Sequence, residues 1–250
     1  HRIVIIGSGF AGLTAARRLK KADADITILA RTSHHLFQPL LYQVATGILS
    51  VGEIAPAIRL VLRDQENATV ALGEVDRIDV AARTVHAAAG HVDFELEYDS
   101  LIVAAGANQS YFGNDHFERW APGMKTVDDA LELRSRILGC FEQAEVIDDE
   151  EERRRLLTFI IVGAGPTGVE MAGQVAELAQ HTLKDSFRRI DPASARVILL
   201  DAAPAVLPPF GNNLGNAARA RLEKMGVEIQ LNAMVTNVDY QGIEVKDPDD

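Results

Sequence analysis

Six glycines carry the first chemical signal. Gly7, Gly9 and Gly12 in IIGSGFAGLT, and Gly163, Gly165 and Gly168 in IVGAGPTGVE, share the spacing G-x-G-x-x-G. The chemistry such a turn performs is anion binding. The first glycine permits a tight turn, the second lets phosphate approach the backbone, and the third lets helix and strand pack closely. The helix start then offers free N–H groups and a positive dipole end to a pyrophosphate. The bland reading is two tight turns without ligands. Each triplet, however, has an apolar run before it, a helical pattern after it and a second apolar run at the right distance.

The end of that second run decides what is read beyond the phosphates. ARVILLD ends at Asp201. A carboxylate there can accept both ribose hydroxyls and repels a 2′-phosphate, which predicts NADH over NADPH. The alternative is that Asp201 merely caps the AAPAVLP turn that follows. In the first half, ADITILA is followed by Arg31, so Ala30 and Arg31 stand where an acid is expected. Arg31 could hold a 2′-phosphate, hence NADP. FAD also tolerates variation here, because backbone groups can hold its adenosine; these residues leave both open. Glu170 closes the second motif, placed by the sequence in the first helical turn, where the dipole favours a carboxylate.

Stepping outward, each glycine turn belongs to a strand–helix–strand unit. RIVIIGSGFAGLTAARRL and TFIIVGAGPTGVEMAGQV superimpose, and the second strands are ADITILA (24–30) and ARVILLD (195–201). Apolar runs rich in β-branched residues suit parallel strands buried on both faces. Between the units, 73–100 reads as a small antiparallel meander, and YDSLIVAAGA (98–107) as a buried strand ending at Gly106. A long helix is predicted over Val127 to Val146, capped by Thr126 or Asp128. The charge run IDDEEERRR (147–155) reads as a solvated connection. The fold class is therefore α/β: two Rossmann-like dinucleotide-binding units with parallel sheets plus a small antiparallel meander. The division falls near Gly113, giving domains 1–112 and 113–250, because the long helix reads as part of the second unit.

The 250 residues are 47% hydrophobic, enough for one large or two modest cores. A net charge of −11 argues against nucleic acid as partner. With Cys140 alone there is no internal disulfide and no Cys-x-x-Cys pair, which fits a reducing compartment. No apolar run is long enough for a membrane span, and no signal peptide is visible. His34 and His35 lack partners at metal-ligand spacing, so they read as structural and no metal is expected. Ser8 is not in a nucleophile elbow. A start at His1 and an end in VKDPDD with no closing element suggest a piece of a longer protein.

Two nucleotide units, the later set within the earlier, resemble the two-dinucleotide-binding-domain flavoproteins. Ala104-Ala105-Gly106 is similar to the short strand-plus-glycine signature at the flavin in that family, commonly Ala-Thr-Gly. The cysteine pairs of the disulfide reductases are missing. HLFQPLLYQVATGILS (35–50), with GAGPTGVE and LLDAAPAVLP, closely resembles the bacterial type II NADH:quinone oxidoreductases, which do not pump protons.

That resemblance implies two cofactors, FAD in the first turn and NADH in the second. It places Gly7, Ser8, Gly9, Phe10, Ala11 and Gly12 along the FAD pyrophosphate, and Ala30 and Arg31 along its adenosine. It sets Val75 against the adenine through its backbone, and Pro39, Ala105 and Gly106 near the flavin. It assigns NADH to Gly163, Gly165, Pro166, Thr167, Gly168 and Asp201. Glu170 matches an active-site glutamate between nicotinamide, flavin and quinone, and a catalytic role there requires a partly desolvated carboxylate. The partners implied are NADH, a quinone and the membrane surface, reached through a C-terminal region absent from this chain. The location implied is peripheral, on the cytoplasmic face of the bacterial plasma membrane; a homodimer is compatible. Competing readings are an NADH-dependent flavin reductase with a soluble protein or oxygen as acceptor, and a non-catalytic NADH-sensing module.

Overall fold

RIVII forms β1 (Arg2–Ile6), the first glycine turn leads into α1 (Phe10–Arg18), and β2 (Asp25–Ala30) follows. Residues 1–246 are described in this computed structural model, so 247–250, the end of the VKDPDD run, lie outside the described residues. Next come three short helices, α2 (Leu41–Ala45), α3 (Val51–Ile54) and α4 (Ile58–Val61). Strands β3 (Ala68–Leu72), β4 (Glu74–Asp79), β5 (Thr84–Ala89), β6 (Val92–Glu97) and β7 (Ser100–Val103) complete this half. The chain divides into two compact units, His1–Gln38 with Ser50–Asn108, and Pro39–Leu49 with Gln109–Asp250.

In the first unit a parallel sheet runs in the order β3-β2-β1-β7. Alternation along the strands loads both faces. Ile3, Ile5, Ile26 and Ile28 join Leu13 and Ala16 of α1 and Ile58 of α4 in one cluster. Val4, Ile6 and Leu29 join Val85 and Ala87 of β5 in another. The second cluster lies under the antiparallel meander β4-β5-β6, which the sequence anticipated. Each such aliphatic side chain contributes about 1.5–3 kcal/mol on full burial, which is why these strands read as unbroken apolar runs. The chain leaves β1 toward β2 and β3 and returns on the other side as β7. That reversal makes the carboxyl ends of β1 and β7 a topological switch point, where open α/β sheets bind ligands.

The second unit repeats the plan. A helix α5 (Val127–Val146) buries Ala130, Ile137, Phe141 and Ala144 along one stripe. Thr126 caps it: the Thr126 hydroxyl accepts the Asp129 N–H, and the Asp129 carboxylate accepts the Thr126 N–H. The charge run is not a bare connection. Glu150–Leu156 form a helix, α6, capped by Asp149, whose carboxylate accepts the Glu151 and Glu152 N–H groups. Acids fill its first turn and arginines its last, so the run complements the helix dipole at both ends.

Next come β8 (Thr158–Val162), α7 (Pro166–Glu177), β9 (Arg196–Asp201), α8 (Gly211–Lys224) and β10 (Val227–Leu231), the strands forming a parallel sheet β10-β9-β8. A hairpin of β11 (Met234–Asp239) and β12 (Gly242–Lys246) packs Val235 and Ile243 against Ile198, Leu200 and Ala233. The apolar segment after His35 carries the helix α2. Leu41, Val44 and Ala45 of α2 are fully buried, and α2 packs against α5 and α7, which joins 39–49 to this unit. The fold is α/β, with two Rossmann-like units, parallel sheets and an antiparallel meander.

Candidate functional site

The two glycine turns have the same steric design. Gly7 has φ +102°, and a Cβ there would lie 2.2 Å from the Ala104 carbonyl oxygen. A Cβ on Gly12 would lie 1.9 Å from the Gly7 carbonyl oxygen, and one on Gly168 1.8 Å from that of Gly163. Those glycines are required by the protein itself. The middle ones are not: a Cβ on Gly9 or Gly165 would meet nothing within 4 Å. The protein leaves that space open at both turns.

The helix starts agree. Gly9 and Gly165 are the N-caps of α1 and α7, and neither helix has a side chain capping its first N–H groups. Pro166 takes the first position of α7, where its missing N–H costs nothing. Phe10, Ala11 and Thr167 lie exposed on these first turns, while Gly12 is buried against β1. Both turns are tied back alike: the Gly7 N–H donates to Leu29, and the Gly163 N–H to Leu200. Ala105 is exposed beyond β7, and Gly106 turns with φ +76°. With the Gly7–Ala104 contact, this brings the β1 and β7 turns together at the switch point.

Asp201 is bound on both oxygens, one accepting the Ala164 N–H at 2.5 Å and the other the Ala203 N–H at 2.7 Å. It therefore caps the turn that follows, as the bland reading had it, and also grips the glycine turn. Each carboxylate oxygen retains a lone-pair direction for a hydroxyl. Ala30 is buried at the end of β2. Arg31 is exposed, 3.9 Å from the exposed Glu74 carboxylate. An acid beside Arg31 offsets the positive field that a 2′-phosphate would need. Val75 pairs with Ala87 at a register shift in β4, its side chain packed among the meander residues. Pro39 is exposed in a single helical turn, Gln38–Leu40, within the described part of the chain.

Glu170 needs a correction. It is the fifth residue of α7, in the second turn, and the first turn holds no acid. The dipole argument for it falls. The residue is exposed, yet the atoms packed around its carboxyl remove enough water to raise the pKa above the ordinary carboxylate value. Cys140 is half-buried on α5, and burial pushes its thiol pKa up, so it stays protonated and inert.

Sequence reasoning passed over two supports of these turns. His35 is buried, and its Nδ1 donates to the Ser8 carbonyl at 2.8 Å. The Leu207 N–H donates to the Ala164 carbonyl at 2.9 Å, with Leu207 at φ +49°. Neither has a local signal. His35 reads as one histidine of a pair before an apolar stretch, and a residue before proline is expected to be extended.

The family described as Pyridine nucleotide-disulphide oxidoreductase matches residues 1–250. Two curated proteins of Mycobacterium tuberculosis (strain ATCC 25618 / H37Rv), "Type II NADH:quinone oxidoreductase Ndh" and "Type II NADH:quinone oxidoreductase NdhA", are 68% and 66% identical over 100% of this chain, covering 54% and 53% of their own lengths. The chain thus spans about half the length of the curated relatives it matches. The structure of NDH2 from Plasmodium falciparum in complex with NADH superimposes with a TM-score of 0.91 at 24% identity, over 98% of this chain and 50% of that chain. At that identity the likeness shows the fold.

Proposed function

We propose that this chain, which belongs to the pyridine nucleotide-disulphide oxidoreductase family, is the FAD- and NADH-binding part of a type II NADH:quinone oxidoreductase. The observation that carries this is the pair of open phosphate cradles at Gly9 and Gly165, one in each unit. The 68% identity to the Mycobacterium tuberculosis Ndh supports the assignment of donor and acceptor. The single cysteine, with its raised thiol pKa, removes internal dithiol chemistry from residues 1–250.

In this reading residues 1–112 hold FAD and 113–250 hold NADH. Gly7 to Gly12 receive the FAD pyrophosphate on the start of α1, with Ala30 and Arg31 along its adenosine. Val75 would meet the adenine, and Pro39, Ala105 and Gly106 are the residues this reading gives to the flavin ring. Gly163, Gly165, Pro166, Thr167 and Gly168 receive the NADH pyrophosphate on the start of α7, and Asp201 accepts the ribose hydroxyls and repels a 2′-phosphate. FAD, when bound, would supply the redox chemistry that takes a hydride from NADH and gives two electrons to a quinone. In this reading Glu170 holds or passes a proton, and the partial desolvation of its carboxyl supports that role.

Among the described residues no helix is long and apolar enough to cross a membrane. The proposed location is peripheral, on the cytoplasmic face of the bacterial plasma membrane. The test is anaerobic. Full-length protein is mixed with NADH while flavin absorbance is followed, and a soluble quinone is then added. Bleaching followed by recovery is expected. Bleaching without recovery removes the quinone; full-length protein without flavin removes the FAD assignment of the first turn.

A further inference from the structure

In both turns one peptide plane does the aiming. It links the residue between the first two glycines to the second glycine, Ser8 to Gly9 and Ala164 to Gly165. The carbonyl and the N–H of a trans peptide lie in one plane and point in opposite directions, so holding the carbonyl sets the direction of the N–H. In the second turn the Ala164 carbonyl is held by a backbone donor, the Leu207 N–H, at 2.9 Å. In the first turn the Ser8 carbonyl is held by a side chain, the His35 imidazole, at 2.8 Å. A carbonyl only accepts, so Nδ1 carries the proton in this bond. Ser8 is 8% exposed and His35 9%, so loss of the donor strands a buried carbonyl. Neither the Gly9 nor the Gly165 N–H meets an acceptor among the described residues.

The imidazole is itself anchored. His35 N–H donates to the Pro56 carbonyl, Phe37 N–H to Ile54, and Ile58 N–H to Ser33, a short antiparallel ladder that fixes the backbone on either side. The Phe10 ring stands edge-on to the imidazole, with centroids 5.4 Å apart at 88°.

We infer that His35 is the positioning residue of the first glycine turn: by holding the Ser8 carbonyl it turns the Gly9 N–H toward the pyrophosphate of FAD, the part Leu207 plays in the second turn. This rests on reading the first turn as the flavin site.

Full-length wild type, His35→Asn, His35→Gln and His35→Leu are compared for FAD content and, after deflavination, for FAD affinity by flavin fluorescence, with NADH affinity read in parallel. Asparagine places an N–H the same number of bonds from Cβ as Nδ1. Glutamine places it one bond further, and leucine offers none. The expected result is FAD affinity weakened about tenfold or more in Leu and Gln, and within about threefold of wild type in Asn, with NADH affinity unchanged in all. A Leu variant that binds FAD like wild type, or an Asn variant as weak as Gln, overturns the inference. If the Leu variant does not fold, the Asn–Gln contrast decides alone. Wild type without FAD overturns the flavin reading and the inference together, whereas a flavin-replete Leu variant overturns the inference only.

Discussion

Alanine at Gly165 and at Gly168 should separate binding from folding within four residues of sequence. At Gly168 the new Cβ would lie 1.8 Å from the Gly163 carbonyl oxygen and 3.4 Å from Ile161 Cγ2. Ordinary van der Waals contact lies at 3.4–4 Å, and a Cβ closer than 3.0 Å to another atom forces a shift. The obstacle is backbone, so β8 and α7 must part by about 1 Å, and overpacking of that kind costs about 3 kcal/mol or more. Stability of a whole domain is only about 5–15 kcal/mol, so the loss is large. At Gly165 the Cβ meets nothing within 4 Å, and φ −75° and ψ −178° suit any residue. Alanine is a poorer N-cap than glycine, but by less than about 1 kcal/mol. Its methyl occupies the space that the proposed function gives to phosphate. Full-length Gly168→Ala should therefore melt well below wild type. Gly165→Ala should melt close to wild type and bind NADH about tenfold or more weakly. Thermal melts followed by circular dichroism, with NADH binding by fluorescence titration, read both. Equal loss of stability in the two variants would refute the steric reasoning, and undiminished NADH affinity in Gly165→Ala would refute the cradle.

Asp201→Asn leaves one turn N–H facing an amide instead of an acceptor, so it should cost about 1–2 kcal/mol and raise the NADPH-to-NADH ratio of kcat/KM by about tenfold; a wild-type preference for NADPH would sink the ribose assignment. For Glu170 the folded pKa is raised above 4.5 by desolvation, so folding favours the protonated form. Its contribution is present below pH 4.5 and is lost as pH rises through the raised folded value. Glu170→Gln should hence melt like wild type near pH 4 and no lower at pH 7, while kcat falls; unchanged kcat and Michaelis constants would make the residue structural. Thr126→Ala removes the cap of α5 and should lower stability by about 1 kcal/mol in urea melts without moving NADH affinity.

The parts legible in the sequence are those where one local rule leaves no alternative. Gly7, Gly12, Gly163 and Gly168 are forced by φ or by a backbone oxygen under 2.3 Å from any Cβ, so their spacing survives as a motif. The span of α5 was legible as a stripe at helical spacing, while its cap was narrowed only to Thr126 or Asp128, and the reciprocal bonds with Asp129 choose Thr126. The charge run misled, because EEERRR suits a solvated loop and a dipole-matched helix equally, and only the bonds to Asp149 choose between them. The helix α2 was missed because its burial is supplied by α5 and α7, far along the chain. The position of Glu170 was misjudged by one turn, since α7 starts at Pro166 and four residues precede the glutamate.

The supports of the two turns make the general point. On the proposed function the glycine spacing repeats because both turns approach a pyrophosphate, a demand that is chemical and local. The donor that holds the aiming carbonyl need only supply an N–H in the right place, and the surrounding chain supplies it differently each time. In the first unit it is a side chain, 27 residues from Ser8 and carried by a short ladder. In the second it is a backbone N–H from a leucine at φ +49°, ahead of Pro208, where local rules favour an extended residue. A motif thus records what the ligand requires. Its scaffolding is free to differ between two copies in one chain, so replacing His35 should disturb the first turn and leave the second, with its own donor, intact.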